Sequence, residues 1–405
     1  MTTTYANRLF YANPYQARFE ARVLERLTWD DRPAVILDRT AFYPSSGGQP
    51  ADRGTLGDVA VVGAEIRPED GAVVHLLAEP LADEVVVGQI DWERRFDHMQ
   101  QHTGQHLLSA ACEQLLEADT VSFHLGSEVS TIDLDQARIA PQEIEPVESL
   151  VNRIIWEDRR VKPQLLDPAD LVGLDVCPPP DVEGLVRLVE VVDFDLNPCG
   201  GTHVARTGEI GIFKILRLDY RGDETRVEFV CGGRALEDYR EKNWTVMELA
   251  AALTVGYWEL PEAVARLQGS LKEAQKELRA VREQLLEEMA DRMARTATSV
   301  GELRVVSQVL EDHPPGDLRV LAYKITQHPD TLALMASLFE ERVHLCFARA
   351  EGVDRDVAAL LRAALEELEG KGGGNPTIAQ GSAPSTDRER VEAVLGALVD
   401  TLGER

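Results

Sequence analysis

Short runs of β-branched and apolar residues alternate with turns along residues 1–90. These runs cover residues 34–38, 59–66, 73–77 and 85–90. Runs of this length between turn-forming residues are typical of strands, and several in succession favour a closed or curled sheet. We therefore predict a β-barrel-like domain over residues 1–90.

Helical and strand-like patterns mix over residues 91–245. Apolar residues recur at helical spacing from Met99 to Leu116, which predicts a helix over residues 98–117. The other predicted elements are a strand near 128–134, a helix over 143–157, and strands over 185–194, 210–218 and 226–230. Cys177 and the prolines after it would interrupt any regular element. The mixed order predicts an α+β core.

Residues 246–300 are predicted to form a helical linker. Apolar residues keep a 3-4 spacing over residues 261–295, at Val264, Leu267, Leu271, Ala274, Leu278, Val281 and Leu285. Such a stripe is typical of a coiled coil. It could pair within the chain as a helical hairpin or between two chains, and we expect a homodimer.

Residues 301–405 show alternating strand-like and amphipathic segments. We predict strands over 303–310, 318–326 and 343–348, and helices over 330–341, 354–369 and 387–402. Alternation of this kind favours an α/β domain with a mostly parallel sheet.

A glycine-rich segment, residues 370–382, separates the last two predicted helices. Lys371 and exposed backbone N–H groups there could cradle a phosphate or a sugar, as backbone nests do. A plain flexible connection is the alternative. The spacing is not that of a P-loop, so nucleotide hydrolysis is not expected.

The chain is strongly acidic, with a formal net charge of −28 over 405 residues. Long-range attraction to a nucleic acid should therefore be weak. A nucleic-acid partner would need local basic patches, and Lys214, Arg217, Arg221, Arg226, Arg234, Arg240 and Lys242 are the candidates.

Cysteine usage and hydropathy bear on the compartment. The five cysteines are odd in number and widely spread, which argues for a reducing compartment rather than a disulfide framework. No apolar run is long enough for a transmembrane helix, and no signal peptide is evident at the N-terminus. We expect a cytoplasmic protein without a membrane partner.

Two pairs of metal-ligand residues stand out, His102 with His106 and Cys199 with His203. Residues four apart on a helix lie on one face, so His102 and His106 can converge on one ion. The glycines between Cys199 and His203 allow a tight turn. One thiolate and three imidazoles suit Zn²⁺. The alternatives are a purely structural zinc, or polar residues that bind no metal.

These motifs, in this order, resemble AlaX-type alanyl-tRNA editing proteins of the long form, and the editing and C-terminal domains of alanyl-tRNA synthetase. The resemblance is carried by Phe42–Tyr43–Pro44 with Gly47–Gly48–Gln49, by His102 and His106, by Ser122–Ser127 with Ser130–Asp133, and by Asn197–His203. The coiled-coil stripe and the glycine run resemble the DHH-associated C-terminal domain of that form.

The resemblance implies a zinc-dependent aminoacyl-tRNA deacylase. Its expected substrate is tRNA(Ala) mischarged with serine, or with glycine. Zinc would activate a water molecule or only position the substrate; with four protein ligands, the sequence does not decide between these. No aminoacylation region precedes the barrel, so we expect no ATP-dependent charging of tRNA.

Three residues are candidates for contacts to the seryl hydroxyl, by their match to the family's motifs: Thr40, Gln49 and Thr131. His124 stands where the synthetases commonly have a glutamine, as in the AlaX pattern. The other readings are a zinc-containing tRNA-binding protein without catalysis, and a deacylase for another mischarged tRNA.

Overall fold

The computed structural model describes residues 7–171, 185–384 and 387–403. Cys177 and its prolines, where the sequence predicts a break, lie outside these ranges. The chain divides into two compact units, Met1–Leu249 and Ala250–Arg405. The finer division into residues 1–90, 91–245, 246–300 and 301–405 stays a prediction.

The first unit begins with a short helix, α1 (Leu9–Ala12), and a closed barrel. The barrel strands are β1 (Arg18–Trp29), β2 (Arg32–Leu37), β3 (Gly54–Leu56), β4 (Val59–Ile66), β5 (Val73–Leu77) and β6 (Val85–Ile90). They close in the order β1-β2-β5-β4-β3-β6, which confirms the predicted barrel.

Strands β1 and β3 have no counterpart among the predicted runs. In β1 the buried residues Phe19, Ala21 and Val23 alternate with exposed charged ones. This period of two is the signal of a half-buried strand, but the charged positions break up the apolar run. Strand β3 has only three residues.

A layer of helices and antiparallel strands follows the barrel. Its elements are α2 (Trp92–Leu116), β7 (Thr120–Leu125), β8 (Ser130–Leu134), α3 (Pro141–Trp156), β9 (Val161–Leu166), β10 (Val186–Val191), β11 (Asp195–Pro198), β12 (Phe213–Arg221), β13 (Glu224–Cys231) and α4 (Gly232–Leu253). The strands form a four-stranded sheet, β12-β13-β8-β7, and a three-stranded sheet, β11-β10-β9. The predicted mixture of helices and strands is confirmed.

Helices α2 and α3 share one core with the four-stranded sheet. Leu107 and Leu108 of α2, Val151 of α3, and Ile132 and Phe229 of the sheet are fully buried in it. Burial of such side chains is worth roughly 1.5–3 kcal/mol each. This packing fixes the position of α2, which carries two of the predicted metal ligands.

A buried ion pair joins α2 to the loop that follows β2. The guanidinium of Arg95 pairs with Asp52, and both side chains are fully buried. Arg95 also donates to the carbonyl oxygens of Pro14, at 2.7 Å, and Ala41, at 2.6 Å. Asp52 accepts the backbone N–H of Tyr43 at 2.6 Å. The pair therefore sets the distance between the barrel loop and α2.

The second unit contains α5 (Leu260–Arg295), β14 (Thr298–Val300), β15 (Leu303–Glu311), α6 (Pro315–Ile325), β16 (Thr331–Phe339), β17 (Arg342–Arg349), α7 (Val357–Glu367), β18 (Lys371–Gly374), β19 (Ile378–Ala383) and α8 (Arg388–Gly403). The six strands form one sheet in the order β14-β15-β16-β17-β19-β18.

The predicted mostly parallel sheet is wrong, because β15 with β16 is the one parallel pair among the described strands. Strands β16 and β17 form a hairpin closed by Glu340 and Glu341, whose φ angles are +50° and +59°. Two positive φ values match the twist of a tight hairpin. Two glutamates lack the usual Asn-Gly signal, so the hairpin could not be read from the sequence.

Two predictions in the second unit are wrong: a predicted strand is a helix, and a predicted helix is a strand. Residues 318–326 are predicted as a strand, but 318–325 belong to helix α6, and residues 330–341, predicted as a helix, contain strand β16. The buried positions of α6 follow helical spacing, at Leu318, Leu321, Ala322 and Ile325. Strand β16 is buried on both faces over its first seven residues, so it lacks the alternation that identifies a strand.

The glycine-rich segment predicted as a loop is a β-hairpin. Strand β18 pairs with β19, and Asn375 caps the turn by accepting the N–H groups of Thr377 and Ile378 at 2.9 Å each. Pairing with β19 engages one edge of the glycine strand, which leaves fewer free N–H groups than an open loop would offer.

The long helix predicted over 261–295 is present as α5, but coiled-coil pairing stays a prediction. Leu271 is 58% exposed and Leu278 is 69% exposed. The C-terminal turns of α5 are covered, unlike this exposed part of the helix, because Leu286, Ala290 and Met293 pack in a buried cluster with α6. Among the described helices, none has the length and apolar character needed to cross a membrane.

Candidate metal centre

The four predicted metal ligands converge at one point of the first unit. The ligand atoms of His102, His106, Cys199 and His203 all lie within 4.8 Å of one another. The Sγ atom of Cys199 is 3.4 Å from Nε2 of His102 and 3.2 Å from Nε2 of His203. We call these four residues the ligand cluster. Helix α2 supplies two members, and the loop after β11 supplies the other two.

A separate partner holds each imidazole of the cluster through its Nδ1 atom. Nδ1 of His102 lies 2.8 Å from Oε1 of Gln49, and Nδ1 of His106 lies 3.0 Å from Oδ2 of Asp195. Both partners are acceptors, so both Nδ1 atoms carry the proton. The lone pairs of the Nε2 atoms are then free for a metal, as in carboxylate–histidine–zinc sites.

The third imidazole, His203, follows the same rule through Thr103. The two groups lie 3.2 Å apart, Oγ1 to Nδ1. The Thr103 hydroxyl donates its proton to the carbonyl of Met99 at 2.8 Å. It must therefore accept from Nδ1–H of His203, which again leaves Nε2 free.

Gln49 ties the cysteine loop to α2. Its Nε2 atom donates to the Thr202 hydroxyl at 2.8 Å, and its Oε1 atom accepts the Thr202 N–H at 3.1 Å. The side chain is 1% exposed, so its amide is occupied within the protein. One buried side chain thus aligns both pairs of ligands.

Charge within the cluster favours a bound cation. Burial alone would raise the pKa of Cys199, but the three imidazoles hold the pKa of this thiol well below its usual value. Burial lowers the pKa of His203 to about 3, so that ring is neutral. Burial also opposes the charge on His106, yet Cys199 and Asp195 raise its pKa to about 10. Cys199 and Asp195 thus both favour positive charge at His106, and a divalent cation bound at Nε2 would supply that charge in place of a proton.

The donor set and spacing fit Zn²⁺. With Zn–S near 2.3 Å and Zn–N near 2.0–2.1 Å, neighbouring ligands of a tetrahedral site lie roughly 3.4–3.6 Å apart. The distances from Sγ of Cys199 to His102 and His203, 3.4 Å and 3.2 Å, are close to this range. Thiolate sulfur and imidazole nitrogen are both ligands that zinc takes in proteins.

The ligand cluster opens into a cleft of about 1280 Å³. Its walls come from Tyr43 and Gly47 on the barrel side, from one face of α2, from α3, and from residues 193–201. A catalytic zinc needs access for a substrate, whereas a structural zinc is normally closed off. The open cleft makes the centre a candidate active site.

The three candidates for seryl contacts lie in different environments. Gln49 contacts His102 directly, as described above. Thr40 is buried, with its hydroxyl 2.7 Å from Nε2 of His75 and 3.0 Å from the N–H of Phe42. Among the described residues that line the cleft, none of the three candidates appears.

Thr131 lies on the outer face of the four-stranded sheet. It pairs across β7 and β8 with His124, whereas the neighbouring pair Phe123 and Ile132 points to the opposite face. Phe123 is the residue of this group that reaches the cluster, because its ring centroid lies 5.1 Å from that of His102. The sheet thus separates Thr131 from the metal ligands.

Asp195 and Thr103 are site residues that sequence reasoning missed. Thr103 stands between the two helical histidines, and Asp195 stands four residues before Cys199. A hydrogen-bonding residue close to each ligand pair was the available signal, since metal-binding histidines almost always need a partner at the second nitrogen.

The predicted basic patch is paired throughout with carboxylates. Each of its seven cations has an acidic partner: Lys214 with Glu148, Arg217 with Glu228, Arg221 with Asp219, Arg226 with Asp133, Arg234 with Asp97, Arg240 with Glu237, and Lys242 with Asp238. Exposed pairs of this kind leave little positive charge for a phosphate.

Comparison with known proteins decides the family. Residues 186–227, which include Cys199 and His203, match the model of the threonyl and alanyl tRNA synthetase second additional domain. The alanyl-tRNA editing protein AlaX-L of Pyrococcus horikoshii is 31% identical over 407 residues, covering 96% of this chain and 98% of that protein. The chain belongs to the AlaX-type alanyl-tRNA editing protein family.

Alanine–tRNA ligases are also similar to this AlaX-type chain. The ligase of Pyrococcus furiosus is 31% identical over 411 residues, which cover 96% of this chain but 43% of the ligase. Among solved structures, the C-Ala domain of alanyl-tRNA synthetase from Aquifex aeolicus is 22% identical, covers 26% of this chain and 97% of that domain, and has a TM-score of 0.25. The chain is thus similar in sequence to part of the alanine–tRNA ligases as well. A TM-score this low supports no structural argument.

We predict one zinc ion per chain at the ligand cluster. Replacing Cys199→Ala removes the one anionic ligand, so bound zinc should fall below about one tenth of stoichiometric, measured by elemental analysis after gel filtration. Cys346→Ala, a buried thiol in β17, is the matched control and should keep full zinc. Full zinc in the Cys199 variant would contradict the assignment.

The two glycines of the cysteine loop should differ in their tolerance of a methyl group. A Cβ atom at Gly201 would lie 2.1 Å from Cε1 of His102, whereas one at Gly200 would make an ordinary 3.6 Å contact with Tyr11. We predict that Gly201→Ala lowers zinc affinity at least about tenfold by displacing His102, since misplacing a metal ligand typically costs this much. Gly200→Ala should bind zinc like the unaltered chain. Equal affinities in a competition titration with a chromogenic chelator would overturn the role of Gly201.

Proposed function

We propose that this chain hydrolyses the ester bond of tRNA(Ala) mischarged with serine or glycine. Membership of the alanyl-tRNA editing family supports an aminoacyl-tRNA substrate. The observation that carries the proposal is the ligand cluster at the wall of an open cleft.

In this proposal His102, His106, Cys199 and His203 would hold Zn²⁺. When bound, zinc supplies a Lewis acid for the ester carbonyl or a water of lowered pKa. The protein's own contribution is orientation. Gln49, Asp195 and Thr103 hold the three rings with Nε2 directed inward.

Selectivity for serine requires a polar group that only the seryl hydroxyl satisfies. A site built to bond a hydroxyl leaves its own polar group unpaired when alanine enters, and such sites reject the smaller analogue strongly. Of the three candidates, Gln49 lies nearest the ligand cluster, but its amide already bonds His102 and Thr202, so in this proposal it positions His102 and does not itself bind the seryl hydroxyl. Thr40 and Thr131 would need to meet the substrate away from the ligand cluster.

A zinc-containing tRNA-binding protein without catalysis is the second candidate function. The observation that favours it is the number of ligands, because four protein ligands complete a tetrahedral zinc shell, as in structural sites. The open cleft is the observation against it. A deacylase for another mischarged tRNA is distinguished from the main proposal by substrate alone.

We further propose that the chain forms a homodimer through the exposed stripe of α5. The stripe residues Val264, Leu267, Leu271, Leu278, Val281 and Leu285 are each more than 40% exposed. A row of exposed apolar residues at 3-4 spacing is stabilised when a second helix covers it.

We predict that the purified full-length chain deacylates seryl-tRNA(Ala) and largely spares alanyl-tRNA(Ala). The ratio of the two kcat/KM values should be at least about 100, because the site would lose a hydrogen bond with alanine. Ester loss is followed with radiolabelled amino acid, with glycyl-tRNA(Ala) as a third substrate. A chelator should abolish the reaction, and added zinc should restore it.

The outcomes of this assay separate the candidate functions. Equal turnover of seryl and alanyl esters would reject the selectivity. Tight tRNA binding without turnover, in protein that contains zinc, would favour the non-catalytic candidate. The control variant Cys346→Ala should retain activity, which would show that the loss of a cysteine does not by itself inactivate the protein.

We predict that a Leu271→Glu/Leu278→Glu double variant is monomeric where the unaltered chain is dimeric. Two like charges on the apolar stripe would have to be desolvated in the interface. Light scattering at micromolar concentration gives the mass of each. Gln275→Glu adds charge to an exposed position of the same helix outside the stripe and should stay dimeric. A monomeric unaltered chain would disprove the dimer.

A further inference from the structure

The cleft extends well beyond the ligand cluster along α2. Seven residues of that helix line it: His102, Gln105, His106, Ser109, Ala110, Glu113 and Gln114. At 1.5 Å per residue this floor is about 18 Å long. A volume of about 1280 Å³ exceeds the roughly 300–1,000 Å³ of most small-molecule pockets. The cleft therefore has room for more than an aminoacyl group.

Two arginines line the cleft, and their bonding differs. Arg159 is engaged, because its guanidinium bonds Glu157 at 2.7 Å and the carbonyl of Asp193 at 2.7 Å. Its guanidinium carbon also lies 5.8 Å from the ring centroid of Phe194. Arg153 is exposed in the last turn of α3. Within the described parts of the chain, its guanidinium has neither an ion-pair nor a hydrogen-bond partner.

The rest of the cleft does not attract anions in general. Glu113, Asp119 and Asp193 also line it, and all three are exposed. With a net charge of −28 on the chain, a polyanion that enters this cleft needs a specific cation on its wall. Arg153 has five N–H donors in a planar fork, which matches two oxygens of one phosphate.

We infer that Arg153 binds a backbone phosphate of the single-stranded 3′ end of the tRNA, while the aminoacyl ester lies at the ligand cluster. This inference rests on the proposed function, because it takes aminoacyl-tRNA as the occupant of the cleft. It assigns the ester chemistry to the ligand cluster and the recognition of a phosphate of the 3′ end to Arg153, on the α3 wall of the cleft. The paired basic residues of the sheet surface have no part in it.

The test compares Arg153→Ala and Arg153→Lys with the unaltered full-length chain. With seryl-tRNA(Ala), Arg153→Ala should raise KM about tenfold and leave kcat nearly unchanged, because a charge-assisted contact to a non-reacting group is lost. Arg153→Lys should recover part of the affinity. The slope of log(kcat/KM) against log[salt] should become shallower by about one in the alanine variant.

A substrate without a phosphate isolates the contact. Seryl adenosine, the ester on a bare nucleoside, should be hydrolysed equally by the unaltered chain and by Arg153→Ala. The matched control is Arg160→Ala, an exposed arginine of the same segment that is not among the described residues lining the cleft. This control should leave every parameter unchanged.

Direct binding keeps the inference separate from the proposed function. Fluorescence anisotropy is measured with a labelled RNA that ends in single-stranded CCA and carries no amino acid. Arg153→Ala should bind this RNA about tenfold more weakly than the unaltered chain. Equal affinity of the two proteins, or an equal loss with seryl adenosine, would overturn the role of Arg153. Failure of the unaltered chain to hydrolyse any ester would instead reject the proposed function, and the anisotropy result would still decide the phosphate contact.

Discussion

The buried ion pair between Arg95 and Asp52 is the constraint on which the rest of the first unit depends. It holds a barrel loop against α2 with both charges fully buried. Removing one partner of such a pair leaves an unpaired charge in the interior, at a cost of about 3–5 kcal/mol. The same loop carries Gln49, three residues before Asp52, and Gln49 bonds His102. The ion pair therefore fixes the distance at which a barrel residue can orient a histidine of the ligand cluster.

The ligand cluster depends on hydrogen bonds between segments that are distant in sequence. The cysteine loop has no helix or strand of its own between Cys199 and His203, so its position comes from contacts. Gln49 bonds Thr202, and Thr103 accepts from both Val204 and His203. These bonds lie among buried residues next to the ligand cluster, away from water, where a hydrogen bond is electrostatically stronger. These buried hydrogen bonds hold the cysteine loop in place, so the cleft on the other side of the ligand cluster can stay open.

The distribution of charge bears on how this acidic chain would bind RNA in the proposed function. The cations predicted as a patch are neutralised by neighbouring carboxylates. Attraction over long distances is consequently weak, and recognition must come from contacts at short range. The guanidinium of Arg153 on the wall of the cleft is more selective than a broad positive surface, because it stabilises a bound anion at one position only.

The sequence by itself determined the four residues of the ligand cluster, the barrel and the helices α2 and α5. Spacing suffices there: His102 and His106 are one turn apart on any helix, and strands β4, β5 and β6 end where their β-branched runs end. Tertiary structure alone decided the partners of these residues. Asp195 lies 89 positions from His106, and no local pattern reports such a contact. Strand β16 is covered on both faces by the protein, so its burial removed the periodicity that would have marked it, and the hairpin to β17 uses two glutamates at positive φ. Local propensity governs elements that keep one face in water, whereas fully buried elements and hydrogen bonds between distant residues depend on how the whole unit packs.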